Sequence, residues 1–167
     1  MFLRRFRLAL PLAFVVLFVD CTTKEFAVEA LSPERVPHDV AGDVLRFTLV
    51  YNEHAAMGLP FGAFGRWPLI AVGVAILAAL VWLLWRTPLR DRWQRIALGL
   101  VLGGAVGNLL SRVRFDRGVV DFIDVGIGHS RFFIFNVADI GVCVGAGLLA
   151  LVLWRDRESP DAGISAR

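Results

Sequence analysis

The sequence predicts a mainly α-helical integral membrane protein, a four-transmembrane-helix bundle with a small extracytoplasmic β-sheet cap. Three observations carry that expectation. The chain is 57% hydrophobic, above the roughly 45–50% of a soluble domain, and its mean hydropathy is +0.65. The apolar residues are gathered into runs near the length of one bilayer crossing, about 20 residues. The arginines stand at the ends of those runs, where membrane topology places them; a nucleic-acid binder would show a basic face interleaved with aromatics. The 167 residues give room for one domain, here 1–155, with a polar tail at 156–167 that reads as disordered and cytoplasmic.

The first helix is expected over about 8–31, after Arg4, Arg5 and Arg7. The same features form the basic and apolar regions of a secretory signal, and the ending FVDC invites a lipoprotein signal with Cys21 acylated. Asp20 directly before Cys21 speaks against that, because such cleavage sites take small neutral residues. As a retained helix, the stretch carries Asp20, Thr23 and Lys24 on one face, so Asp20 and Lys24 can pair at i, i+4. The plainer account is that Lys24 and Glu25 end the helix and snorkel to the interface.

Ser32-Pro33 stops this helix and opens a cap at 32–66. Within it Val44–Tyr51 (VLRFTLVY) is rich in β-formers and partly alternating, which predicts a strand, with a turn following from Asn52 to Gly58. The run 67–85 carries no charge and has Trp at both ends, which suits a crossing with an aromatic belt. After a basic loop the third helix, 95–112, brings Gly103, Gly104, Ala105 and Gly107, which allow close helix approach in lipid. The fourth, 132–154, is interrupted near its start by Asn136 and Asp139. An even number of crossings puts the basic amino terminus, the 86–95 loop and the 155–157 tail together in the cytoplasm. The caps at 32–66 and 111–131 then face outward, although Arg112, Arg114, Arg117 and Arg131 weaken that contrast. Cys21 and Cys143 read as small buried hydrophobes, with neither a disulfide nor a metal site supported.

Asp121 and Asp139 stand where apolar runs end and begin. An acid in or near hydrocarbon costs about 2.5–3.5 kcal/mol on insertion scales, so each is a functional candidate. Two carboxylates in low dielectric cannot both ionise easily; they share a proton, and such a pair can activate a water while protonating a leaving amide nitrogen. Asp124 and Asp116 compete for the first place, each also readable as a solvated loop charge. Asn136 can cap the last helix with Asp139 in its first turn, and Asn108 and Arg112 share a face at i, i+4. Taken from the residues alone, capping and interfacial snorkelling are the favoured accounts of those three.

These residues fall into ordered blocks. They are Asp20-Cys21-Thr22-Thr23-Lys24, then Asn52 with Ala55 and Ala56, then Gly103 through Asn108 to Arg112. Val119-Val120-Asp121-Phe122 and Phe135-Asn136-Val137-Ala138-Asp139 follow. In this order the chain resembles the bacterial lipoprotein signal peptidase (signal peptidase II) family of four-helix membrane aspartyl proteases, over about residues 8–150. The resemblance implies that Asp121 and Asp139 are the catalytic dyad, hydrolysing the peptide bond before a diacylglyceryl-modified cysteine. It implies substrate-binding roles for Asn52, Asn108, Arg112 and Asn136, structural support from Asp20 and Lys24, and an extracytoplasmic sheet and flanking helix in the 32–66 cap. It implies no metal or organic cofactor, a monomer in the bacterial inner membrane, lipidated prolipoprotein substrates among membrane phospholipid, and no nucleic acid. The departures from the pattern are His54 where the family has Gly, Met57 for Phe, Ser111 for Asp, and Ile140-Gly141 after Asp139.

Two other classes compete. A diverged paralogue would bind lipidated peptides or lipid without cleaving, yet it has no need of two costly carboxylates. A transporter would use Asp20 and Lys24 as an ion relay, but it leaves Asp121 and Asp139 unexplained and the chain shows no inverted repeat.

Overall fold

The structure, a computed structural model, describes residues 6–53 and 66–158. In chain order these form α1 (Ala9–Ala30), β1 (His38–Ala41), β2 (Leu45–Asn52), α2 (Trp67–Arg86), α3 (Arg92–Arg114), β3 (Val119–Ile127), β4 (Ser130–Arg131) and α4 (Val137–Glu158). The fold is mainly helical, and among the described residues three helices are long and apolar enough to cross a membrane: α2, α3 and Val137–Arg155 of α4.

The helices are turned inside out relative to a soluble bundle. On α1 the buried residues are Ala9, Asp20, Lys24 and Ala27, while Phe14, Phe18 and Phe26 are 66%, 60% and 68% exposed. Large apolar side chains facing outward around a polar interior suit lipid as solvent. Cys143, expected to be buried, likewise points outward from α4, and Cys21 is half-buried. Helix α2 buries only Leu84 and is the outermost of the four.

α3 is the hub, packed against α1, α2 and α4. Small residues allow this, because in lipid close backbone contact replaces the hydrophobic drive. A Cβ on Gly107 would stand 2.5 Å from Asp20 Oδ2 and 3.4 Å from Ala138 Cβ, so only glycine lets α1, α3 and α4 converge around Asp20. Gly107→Ala should lower the thermal midpoint in detergent by the equivalent of about 1–3 kcal/mol of overpacking. Gly147→Ala on α4, where a Cβ meets nothing within 4 Å, should instead be neutral or stabilising, because alanine is the better helix former.

The sheet is antiparallel in the order β1-β2-β3-β4. The predicted strand at 44–51 is present as β2, but the sheet is not confined to the 32–66 cap. β3 and β4 come from 119–131, pairing Val50 with Asp121 and Asn52 with Val119. Leu49, Val120 and Phe122 pack with Ala27 and Leu31 of α1, which seats the sheet on that end of the bundle. Gly118 (φ +97°) makes the β2–β3 closure possible, since a Cβ there would lie 2.2 Å from the Asn52 carbonyl oxygen.

The helix expected over 132–154 begins later, at Val137. The aromatic residues before it run extended along β3: Phe132 N–H donates to Val125 O at 2.8 Å, and Phe135 exchanges bonds with Ile123 at 2.8 and 3.0 Å. At the other end α4 continues to Glu158, past the point where a tail was expected at 156. The flanking helix of the cap, with His54, Ala55, Ala56 and Met57, lies outside the described residues.

Candidate functional site

The site lies where the sheet meets the ends of α1 and α3 and the start of α4. Asn136 and Asp139 cap α4 reciprocally. The Asp139 N–H donates to Asn136 Oδ1 at 3.0 Å, and the Asn136 N–H donates to Asp139 Oδ2 at 3.1 Å. This is the geometry of a capping box, with a carboxylate in the helix's favourable first turn. Asp20 of α1 adds a cap from another helix, its Oδ1 accepting the Ala138 N–H at 2.9 Å.

From Asp20 a chain of polar contacts runs inward. Lys24 Nζ bonds Asp20 Oδ2 at 2.8 Å, one turn away on α1, and Asn108 Oδ1 at 2.9 Å. An ammonium can only donate, so Asn108 must present its oxygen to Lys24 and its NH2 elsewhere. That NH2 donates to Asp139 Oδ1 at 2.8 Å. Both oxygens of Asp139 therefore receive one N–H each.

Asp121 is held in the same manner. Asn136 Nδ2 donates to its Oδ1 at 2.6 Å, and Asn52 Nδ2 to its Oδ2 at 3.1 Å. Asn136, fully buried, also approaches Asn108 Oδ1 at 3.1 Å and Val120 O at 3.3 Å. A single asparagine thus links β3, α3 and α4. Arg112 donates to the Asn108 carbonyl at 3.3 Å and feels the charges of both Asp121 and Asp139. The structure gathers all eight residues singled out from the sequence (Asp20, Lys24, Asn52, Asn108, Arg112, Asp121, Asn136 and Asp139) into one cluster.

Burial and hydrogen bonding pull Asp121 in opposite directions. Its side chain is 3% exposed, and burial raises its pKa to about 6 against the lowering bonds from Asn52 and Asn136; the nearby charge of Asp139 adds to the rise. Such a value lets an acid hold or yield its proton near neutrality, which is what proton-transfer chemistry requires.

The competing acids serve elsewhere. Strand residues three apart point to opposite faces, and Asp124 accepts bonds from Arg131 Nε at 2.9 Å and Thr48 Oγ1 at 3.2 Å. Asp116 pairs with Arg66 at the surface. Ser111 is buried beside a small cleft lined by Cys21, Lys24, Glu25 and Arg114, so its surroundings extend beyond Arg112. Sequence reasoning missed Gly118 as the residue that lets Asn52 come close, and it read Gly107 as a helix-packing residue without placing Asp20 against it. Their only signal was glycine beside polar positions.

Comparisons with known proteins place the chain in a family. The sequence model of the family described as signal peptidase (SPase) II matches residues 12–155. A lipoprotein signal peptidase of Syntrophotalea carbinolica is 40% identical over 158 residues, covering 92% of this chain and 95% of that protein. One from Mycolicibacterium smegmatis is 41% identical over 151 residues, which is 87% of this chain but 60% of the relative's length. A bacterial membrane enzyme solved by the in meso method at 2.3 Å resolution superposes with a TM-score of 0.78, at 28% identity and 92% coverage of both chains.

Proposed function

The chain belongs to the signal peptidase II family, and from that premise we propose that it is an intramembrane aspartyl endopeptidase that removes signal peptides from diacylglyceryl-modified prolipoproteins. The bond cut is the one before the lipidated cysteine. The observation that carries this reading is the joining of Asp121 and Asp139 through Asn136 in one buried network at the sheet end of the bundle.

In this mechanism the pair holds one proton. The ionised carboxylate takes a proton from water as the water oxygen attacks the scissile carbonyl carbon, and the protonated partner donates a hydrogen bond to the carbonyl oxygen. The tetrahedral intermediate collapses when the amide nitrogen is protonated by the pair. The carbon–nitrogen bond then breaks, leaving a new carboxylate and the free amine of the lipidated cysteine. Asn108 and Asn136 hold the carboxylates in place, and Asn52 and Arg112 stand where a peptide backbone or the glyceryl esters can be bound. Asp20 and Lys24 support the fold around them.

In this reading α1 is a fourth crossing whose charges are neutralised within the bundle. The sheet lies at the outer face of the inner membrane and both termini lie in the cytoplasm, as the basic 86–95 loop supports. A monomer suffices, because every group in the network comes from one chain. The direct test is incubation of the purified protein with a diacylglyceryl prolipoprotein, alongside the same precursor without its lipid. Release of the signal peptide from the lipidated form alone is expected, and no cleavage of either would refute the assignment.

The titration of Asp121 makes a second measurement decisive. Above its pKa the pair loses the proton it must keep, so kcat/KM should fall as pH rises through about 6. Bound lipid and peptide displace water from the pair, which moves the descending limb of kcat to higher pH. A kcat/KM flat between about pH 5 and 8 would exclude a shared proton as the working form.

A further inference from the structure

The two edges of the sheet differ in character. The β1 edge carries His38 and Asp39, and Arg46 of β2 bonds Asp39 at 2.7 Å and also pairs with Asp43. The β4 edge, at the end remote from Asn52, carries large apolar side chains turned out of the fold. Ile127 is 73% exposed, Phe132 66% and Phe133 73%. The rings of Phe132 and Phe133 meet edge to face, so their apolar surface is contiguous.

Strand alternation fixes where this edge lies relative to the acids. Ile123, Val125 and Ile127 follow Asp121 at steps of two on β3 and share its face. Phe132 stands across from Val125, to whose oxygen its N–H donates at 2.8 Å, and opposed residues share a face. An apolar row therefore leads from Asp121 to Ile127, about 20 Å at 3.3 Å per residue. Gly128 (φ +56°) turns the chain beyond it. Arg131, the one charged residue of 125–135, is folded back from this edge. Its Nε donates to Asp124 Oδ1 at 2.9 Å and its NH2 to Asp124 O at 3.0 Å.

An exposed apolar patch of this kind marks a contact surface, and its place in the chain names the occupant. Phe133 and Phe132 stand four and five residues before Val137, where the apolar stretch of α4 begins. Aromatic side chains just outside a crossing lie at the headgroup level. The chain runs from them into α4, whose Ile140, Val144 and Leu151 are exposed as lipid-facing side chains. We infer that the β3–β4 edge docks on the bilayer leaflet at the sheet end of the bundle, with Ile127, Phe132 and Phe133 seated among its glycerol esters and first methylenes. Only the side chains enter, because unpaired strand backbone is excluded from hydrocarbon. A depth of about 5–10 Å is usual for such interfacial elements. The apolar row on the Asp121 face then joins this leaflet to the acid.

Spin labels read this contact without reference to cleavage, so it stands or falls apart from the proposed reaction. The full-length protein with Cys21→Ala and Cys143→Ala is reconstituted in vesicles of phosphatidylethanolamine and phosphatidylglycerol. A nitroxide is attached at Ile127→Cys or at Phe133→Cys, positions exposed enough to carry it. Val144→Cys, 55% exposed on α4, gives the lipid reference. Arg90→Cys, at a side chain 88% exposed, gives the water reference. At Ile127 and Phe133 the ratio of collisions with oxygen to collisions with a water-soluble nickel chelate should be above one, on the Val144 side of the scale. A ratio below one at either position, as at Arg90, would put the edge in water and overturn the inference. Shielding from both reagents would mean that protein covers the edge and would overturn it too. So would spin–spin broadening that grows with the protein-to-lipid ratio, which would make a second copy of the chain the partner.

Discussion

Asp121→Asn and Asp139→Asn should each reduce cleavage of a diacylglyceryl prolipoprotein by about 10³-fold or more, the scale of losing a general acid or base together with the charge it supports. The folded protein should survive both changes. Each carboxylate is held by two N–H donors, and an asparagine keeps one oxygen for them. For Asp121 the change should also stabilise, in a pH-dependent way. Its folded pKa is raised to about 6, so the native state favours the neutral acid, and stability is lost as pH rises through that value. Asparagine imitates the neutral form at every pH. The variant should therefore melt above wild type at pH above 6 and close to it under acid conditions where wild type is already protonated. A variant that keeps full activity removes its residue from the mechanism. One that melts below wild type at every pH shows that the ionised Asp121 holds the cluster together.

Lys24→Met should be nearly as damaging by a different route. Lys24 is 2% exposed and bonds Asp20 and Asn108 at once. Removing one partner of a buried ion pair costs about 3–5 kcal/mol, because the remaining charge is left uncompensated. The Asn108 oxygen also loses one of its two donors and keeps only Asn136 Nδ2 at 3.1 Å, so the amide NH2 is held less firmly towards Asp139. The double change Asp20→Asn/Lys24→Met separates the two effects. It leaves no stranded charge and retains an oxygen for the Ala138 N–H, so the melting temperature should recover substantially. A loss in kcat should remain, because the double change does not replace the Lys24 donor on Asn108. Recovery of activity along with stability would reduce Lys24 to a packing role.

Much of this cluster was legible before any coordinates. Asp20 and Lys24 lie one helical turn apart, and Asn136 stands at the spacing from Asp139 that a capping box needs, so local geometry placed both pairs. The apolar run 67–85 was readable for the same reason, since a membrane crossing depends on composition over a short window. The long-range pairing of 119–131 with β2 was not. Asp121 and Asp124 both interrupt the apolar pattern of VVDFIDVGI, and only the strand's alternation, with Arg131 and Thr48 waiting on the other face, tells them apart. The late start of α4 was hidden similarly. Phe132–Phe135 is as apolar as a helix, and what makes it extended is the free edge of β3, which belongs to another part of the chain.

The ion pair on α1 also bears on how the enzyme is made. This helix leaves the ribosome before α2, α3 and α4, and its acid and amine, one turn apart, can neutralise each other before those helices exist. The groups that complete their coordination, the Asn108 amide and the Ala138 N–H, are translated much later. Until both arrive, Asp20 and Lys24 have only each other, and the site completes its polar contacts only once α4 has begun.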